Sequence, residues 1–337
     1  MLSVVFVHIY GNTVVDYSDT IMAKALLILS LLSMGANAFF LITIGYNTKK
    51  QEVRKYLQKT YKTYLKPYIV AMLFVVFLFP IVHFLTFRWW PGAINETIKY
   101  LLAFVFGISG GHNTIVFGYQ VYECSVVYFL LICFISTNIF NLILKTNKRI
   151  QPFIVLLFVV AGYLLCKLGF FYYCIPQGLF SVLYIYIGYL LNEYLILEKK
   201  KAKSIIAIFS IISFVYSLIY ESSISFAFCK WNNFFIDNVV TLGCGLLLIL
   251  LETLIEEHTK PCFIKSQIKK IGFYVPWIMC IHSVEMSCIP WYILRLNFIN
   301  DKNIVLIIEY VLRIILINLC CIGIKKYKKY TYKLIKE

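Results

Sequence analysis

Residues 49–66 read KKQEVRKYLQKTYKTYLK, and residues 67–87 follow without a break as PYIVAMLFVVFLFPIVHFLTF. The first part carries seven Lys and Arg, whereas the second contains no Asp, Glu, Lys or Arg at all. A helix of about 20 apolar residues rises about 30 Å, the thickness of a bilayer's hydrocarbon core. A basic segment abutting such a helix is the pattern of a cytoplasmic loop feeding a membrane span. The fold class follows from whether the rest of the chain repeats this alternation.

It does. Of 337 residues, 61% are hydrophobic and 14% charged, and the mean hydropathy is +0.80. A soluble surface cannot be built from that composition, which excludes a secreted disulfide scaffold, a disordered chain and a soluble two-domain enzyme. Apolar runs recur at 24–46, 67–87, 122–144, 152–169, 172–192, 204–221, 236–255, 272–294 and 303–324. Residues 1–10 look like the outer half of a further helix, truncated at its N-terminus, and lack the basic start and small-residue cleavage site of a signal peptide. The expectation is an all-α, polytopic transmembrane bundle of about ten helices, forming a single domain over 1–337.

The net charge of +16, from 32 Lys and Arg against 16 Asp and Glu, is explained by position. Basic residues cluster at 49–66, 145–149, 199–203, 260–270 and 325–336, between the apolar runs. With 49–66 cytoplasmic, the alternation puts every cluster inside, together with the C-terminus. Membrane lipid is therefore the expected partner of these loops, and nucleic acid is not, since no basic stripe interleaves with exposed aromatics. Counting 94–111 as a span would throw the later clusters outside, so it reads as an interfacial or re-entrant element on the outer side, with Gly107, Gly110 and Gly111 permitting irregular backbone. Within 49–66, Tyr56, Leu57, Tyr61, Tyr64 and Leu65 recur at helical spacing, as in an amphipathic helix lying on the cytoplasmic surface. Its bland role is a membrane-anchored connector, and its sharper one a basic wall that attracts phosphates.

Ionisable residues inside spans cost a few kcal/mol and default to functional hypotheses. Glu123, Lys167, Glu221, Asp237 and Glu252 sit at span ends and can snorkel, while His83 and His258 read as structural. His112 follows the two glycines of the outer element. Glu309 and Arg313 are four apart and should pair. His282 and Glu285 share a helix face at i and i+3, so the carboxylate can orient the imidazole; His8 stands alone in the N-terminal stub. The eleven cysteines mostly lie in apolar runs, as Cys133, Cys166, Cys244, Cys320 and Cys321 do, and none forms a CxxC pair. Cys280, His282 and Cys288 on one helix make a poor tetrahedral site, so no metal is expected.

Several of these segments, in order, resemble the integral membrane acyltransferase 3 family, whose members O-acylate sugars of bacterial surface glycans. Ser3–His8 is similar to the end of the family's first helix, where a basic residue, ten intervening residues and a His are found. Phe40-Leu41-Ile42-Thr43-Ile44-Gly45-Tyr46 resembles its FxxxSGY pattern, with Ile44 at the Ser position. Leu65-Lys66-Pro67-Tyr68 is similar to the IPY at the start of helix three. Tyr128-Phe129-Leu130 stands where many members have Trp-Phe-Leu, and Ile187-Gly188-Tyr189-Leu190-Leu191 resembles FxLGYLL. Gly272 and His282 match the ends of GxxSxxxYxxH, with Val275 and Met279 in place of its Ser and Tyr. The basic partner of His8 would fall before Met1.

The resemblance implies transfer of an acyl group, acetyl being the family's commonest, from cytoplasmic acyl-CoA to a hydroxyl of a surface polysaccharide or lipid-linked sugar at the bacterial inner or plasma membrane. His8 would be the general base, with His282 and Glu285 binding the acceptor or assisting acyl handling. Lys49, Lys50, Arg54 and Lys55 would attract the donor's phosphates, with no tightly bound cofactor. A lipid-linked oligosaccharide flippase or polymerase, or an inactive truncated relic, are the alternative readings.

Overall fold

The computed structural model describes residues 35–109, 114–121, 125–220, 224–227, 229–258, 275–291 and 302–334. His8, His112, Glu123, Glu221 and Gly272 lie outside the described residues, as does the N-terminal stub. The architecture is all-α. In chain order the helices are α1 (Ala36–Tyr46), α2 (Val53–Thr60), α3 (Lys66–Phe87), α4 (Trp90–Val105), α5 (Tyr128–Ile143), α6 (Gln151–Lys167), α7 (Ile175–Glu193), α8 (Lys200–Tyr220), α9 (Phe234–His258), α10 (Val275–Cys288) and α11 (Lys302–Leu334). A two-residue hairpin, Ile115–Val116 with Tyr119–Gln120, turns through Phe117 and Gly118, both at positive φ as a tight hairpin turn requires.

Four helical stretches are long and apolar enough to cross a membrane: Val53–Phe87, Tyr172–Glu193, Lys200–Tyr220 and Phe234–His258. Their side chains are sorted for lipid. Helix α8 buries Ser210, Ser213 and Ser217 along one stripe and exposes Ile205, Ile208, Ile211, Ile212 and Ile219. In water this inside-out arrangement would be unstable. In hydrocarbon, where exposed Ile costs nothing, small residues on the inner stripe let backbones approach.

Helix α7 is the hub, packing on α1, α5 and α6, while α9 joins α1 to α8. The α1–α7 crossing has no room for a side chain. A Cβ on Gly188 would stand 2.0 Å from the Ile42 carbonyl oxygen, and one on Gly45 would stand 1.9 Å from that of Ile185. A second group, α3, α4, α10 and α11, meets the first through the α2–α3 run and the 125–127 turn ahead of α5.

Two expectations are refined. Residues 53–60 form the amphipathic, largely exposed helix expected, but it continues into α3 as one helical run, Val53–Phe87, and lies along the second half of α5. Tyr56 and Thr60 are the buried positions, Asn138 Nδ2 donates to Thr60 Oγ1 (3.0 Å), and the Gln51 amide donates to Asn141 Oδ1 (3.1 Å). Pro67 would ordinarily break such a run because it has no N–H to give. A π-helical turn over Tyr61–Leu65 absorbs the defect, its last bond running from Lys66 N–H to the Tyr61 carbonyl. Residues 94–105 are not irregular either: helix α4 starts at Trp90 and pairs antiparallel with α3. Phe84 stacks on Trp90 at 4.3 Å near the turn, Phe79 meets Tyr100 at 4.8 Å, and the Tyr68 hydroxyl donates to the Phe104 carbonyl (2.5 Å). The backbone turns sharply at Gly107, where φ is 55° and an added Cβ would stand 2.8 Å from Tyr173 Cα, so the position suits glycine.

Among the described residues, the segments carrying the basic residues 49–50, 145–149 and 199–203 gather at one end of the helices. Lys148 pairs with Glu193 (2.5 Å), Lys203 with Glu257 (3.0 Å), and Asn192 Nδ2 donates to the Tyr46 carbonyl (2.7 Å), joining α1 and the α5–α6 loop to α7, and α8 to α9. The Glu193 carboxylate holds the exposed Lys148 ammonium above its ordinary pKa, mainly by their hydrogen bond. At the opposite end the Tyr173 amide donates to the Phe106 carbonyl (2.8 Å) and Cys174 Sγ to that of Gly107 (3.3 Å).

Reporter fusions after Lys148 and after Gly169 should thus report opposite sides, cytoplasmic at Lys148; the same side for both would refute this arrangement. Gly188→Val should lower the thermal midpoint of the detergent-solubilised protein sharply, since overpacking costs about 1–3 kcal/mol even where backbone can yield. An unchanged midpoint would mean that the helices are not in this contact.

Candidate functional site

Helix α11 presents Val305, Glu309, Arg313 and Ile317, four apart, as a buried stripe. Facing it, α10 buries His282 and Glu285. The two pairs that the sequence suggests separately are one cluster. His282 Nδ1 lies 2.5 Å from Glu285 Oε1, the same oxygen that accepts from Arg313 Nη1 at 3.2 Å. Arg313 Nη2 donates to Glu309 Oε1 (2.5 Å), and the Trp291 indole N–H donates to Glu285 Oε2. The Arg313 guanidinium also covers the Trp291 ring at 4.9 Å, a cation–π contact in a desolvated place.

Each bond has a chemical consequence. With both Glu285 oxygens occupied by donors, the carboxylate is fixed in orientation and holds the His282 proton on Nδ1, which puts the imidazole's basic lone pair on Nε2. The two helices are thereby tied through a single set of charged and hydrogen-bonded groups.

Helix α10 is seated on the α2–α3 run by Cys280, whose thiol donates to the Pro67 carbonyl (3.1 Å). At the end where α1 closes near Lys49, a cavity of about 240 Å³ opens between the end of α1 and the face of α2. Thr43, Asn47, Thr48, Tyr56, Thr60, Thr63 and Tyr64 line it with Lys49 and Lys59. Of the four basic residues singled out in the sequence, only Lys49 reaches it. Lys50, Arg54 and Lys55 are exposed away from it, Lys55 pairing with Glu52 at 3.3 Å. Lys59 was legible in retrospect, for 56, 59, 60 and 63 form one helical face. A second cavity, about 170 Å³, lies between Phe79–Phe87 of α3 and Met286–Pro290, just past Glu285. His83 lines it, packed between the rings of Phe79 (5.4 Å) and Phe87 (4.6 Å), so a residue read as structural borders open space.

The fold and site thus define an all-α protein with membrane-compatible helices and a buried imidazole–carboxylate–guanidinium cluster. Comparison with known proteins gives no match: no family model, no curated protein and no solved structure matches the chain.

Removing one member of a buried ion cluster leaves an uncompensated charge, at a cost of roughly 3–5 kcal/mol. Arg313→Ala should therefore destabilise far more than Glu309→Gln combined with Arg313→Met, which removes opposite charges together. Thermal unfolding in detergent checks this; equal losses for the two variants would mean that the charges are not paired.

Proposed function

We propose that this chain is an integral membrane O-acyltransferase, moving an acyl group from a cytoplasmic acyl-CoA to a hydroxyl of a surface polysaccharide or lipid-linked sugar. The observation that carries the reading is the buried His282–Glu285 pair, oriented by Arg313 and Trp291. A hydroxyl must lose its proton to attack a thioester carbonyl, and a neutral imidazole is the side chain suited to take it.

The two cavities suit the two substrates. The polar one, with Lys49 and Lys59 at the basic end, offers cations and hydroxyls to a phosphate-bearing donor. The one bordered by His83 and Ser287 has the aromatic walls and polar groups that a sugar ring uses. Helix α10 runs between them, from the Pro67 contact to Pro290. In this scheme the hydroxyl oxygen attacks the acyl carbonyl carbon and its proton passes to His282 Nε2. The carbon–sulfur bond breaks, and the CoA thiolate leaves to be protonated from the imidazolium or solvent.

Mass spectrometry of the host's surface glycan in wild type, deletion and complemented strains tests the reading. The deletion should lose an O-acyl mass that the unmutated chain restores. His282→Ala or Glu285→Gln, at normal membrane levels, should restore it about 10²–10⁴-fold more slowly. Full restoration by His282→Ala would remove that residue from the chemistry. Loss of the polymer itself in the deletion would replace this reading with a flippase or polymerase.

A further inference from the structure

Cys166 closes the last turn of α6, and Cys229 lies in the segment that leads into α9, 63 residues later. Their sulfurs stand 2.9 Å apart. Carbon atoms in contact settle at about 3.5–4.0 Å, and sulfur is larger. The surrounding structure therefore holds two thiols well inside touching distance, against about 2.05 Å for a formed bond.

Both sides of Cys229 are fastened. The Ser225 amide donates to the Lys230 carbonyl (3.0 Å), closing the turn that contains it. Trp231, two residues on, packs on Phe234 at 5.0 Å, and the Lys167 ammonium lies 5.9 Å from the Tyr163 and Trp231 ring centres. These contacts hold the Cys229 turn beside the end of α6. The pair also sits at the end of the bundle away from Lys148, Glu193 and Lys203, the end that the distribution of basic loops assigns to the outside. Disulfides persist there and not in the cytosol.

We infer that Cys166 and Cys229 form a disulfide in the membrane-inserted protein, clamping α6 to the α8–α9 connection. The inference is independent of acyl transfer. The oxidant is a disulfide-bearing exchange partner. The thiolate of Cys229, the more exposed of the two, attacks one sulfur of the partner's disulfide, and the other sulfur leaves as a thiolate. Cys166 thiolate then attacks the mixed disulfide at Cys229 Sγ and expels the partner's remaining sulfur. Two cysteines are oxidised, one partner disulfide is reduced to two thiols, and the cysteine protons end on the departing thiolates. Cys174 is buried nearby but directs its thiol to the Gly107 carbonyl.

The test uses the full chain in its own membranes. Thiols are trapped with N-ethylmaleimide, and the digested protein is mapped by mass spectrometry without reductant. A peptide pair joined through Cys166 and Cys229, lost on treatment with dithiothreitol, is expected. Cys166→Ser should make Cys229 reactive toward maleimide where it was silent, and Cys229→Ser, at a half-buried turn, gives the converse readout if the first variant fails to accumulate. Maleimide on both residues of the unmutated chain, in cells whose other envelope disulfides are fully oxidised, would overturn the inference. A link from either residue to Cys174 would overturn it as well.

Discussion

Hydrocarbon as solvent is the constraint on which the rest of this structure depends. It removes the usual reward for burying Ile and Leu, so the helices must be held by close backbone contact and by polar groups that have nowhere else to go. Both devices are visible. Gly45 and Gly188 bring α1 and α7 into backbone contact, and Ser213 of α8 packs where any side chain at Gly243 of α9 would stand, its Oγ 2.1 Å from that position. The second device is the cluster of His282, Glu285, Glu309 and Arg313, which ties α10 to α11.

The same constraint orders the side chains of that cluster. A charged group in a span survives only in a satisfied network, and such a network fixes the orientation of every member. Glu285 cannot turn without abandoning Trp291 or Arg313, so His282 presents one tautomer. An arrangement demanded by burial thereby supplies the fixed orientation that the proposed acyl transfer calls for. Helix α10 is anchored to the Val53–Phe87 run at Pro67, where the missing N–H forces the π turn beside the cavity holding Lys59.

Much of the architecture was legible along the chain. The apolar runs 67–87, 152–169, 172–192, 204–221 and 236–255 match helices to within a few residues, because apolar length needs only local information. His282 with Glu285 and Glu309 with Arg313 were legible as pairs for the same reason, being one helical turn apart. Their union was not, since Arg313 and Glu285 are 28 residues apart and no spacing rule reports a contact between helices. The 2.9 Å approach of Cys166 and Cys229 was hidden likewise, and so was the choice of Lys49 and Lys59 over Lys50, Arg54 and Lys55.

The sequence by itself determined that the chain is helical, that its helices suit a membrane and that its basic loops alternate with them. These are properties of composition and period, settled within single segments. Only the tertiary structure decided that residues 53–65 run along α5 instead of lying apart, that α4 is a regular helix returning along α3, and that four ionisable side chains form one cluster. Each depends on which segment packs against which. That choice is made by shape at glycine crossings and by partner availability for buried charges, and neither is written in any one stretch of the chain.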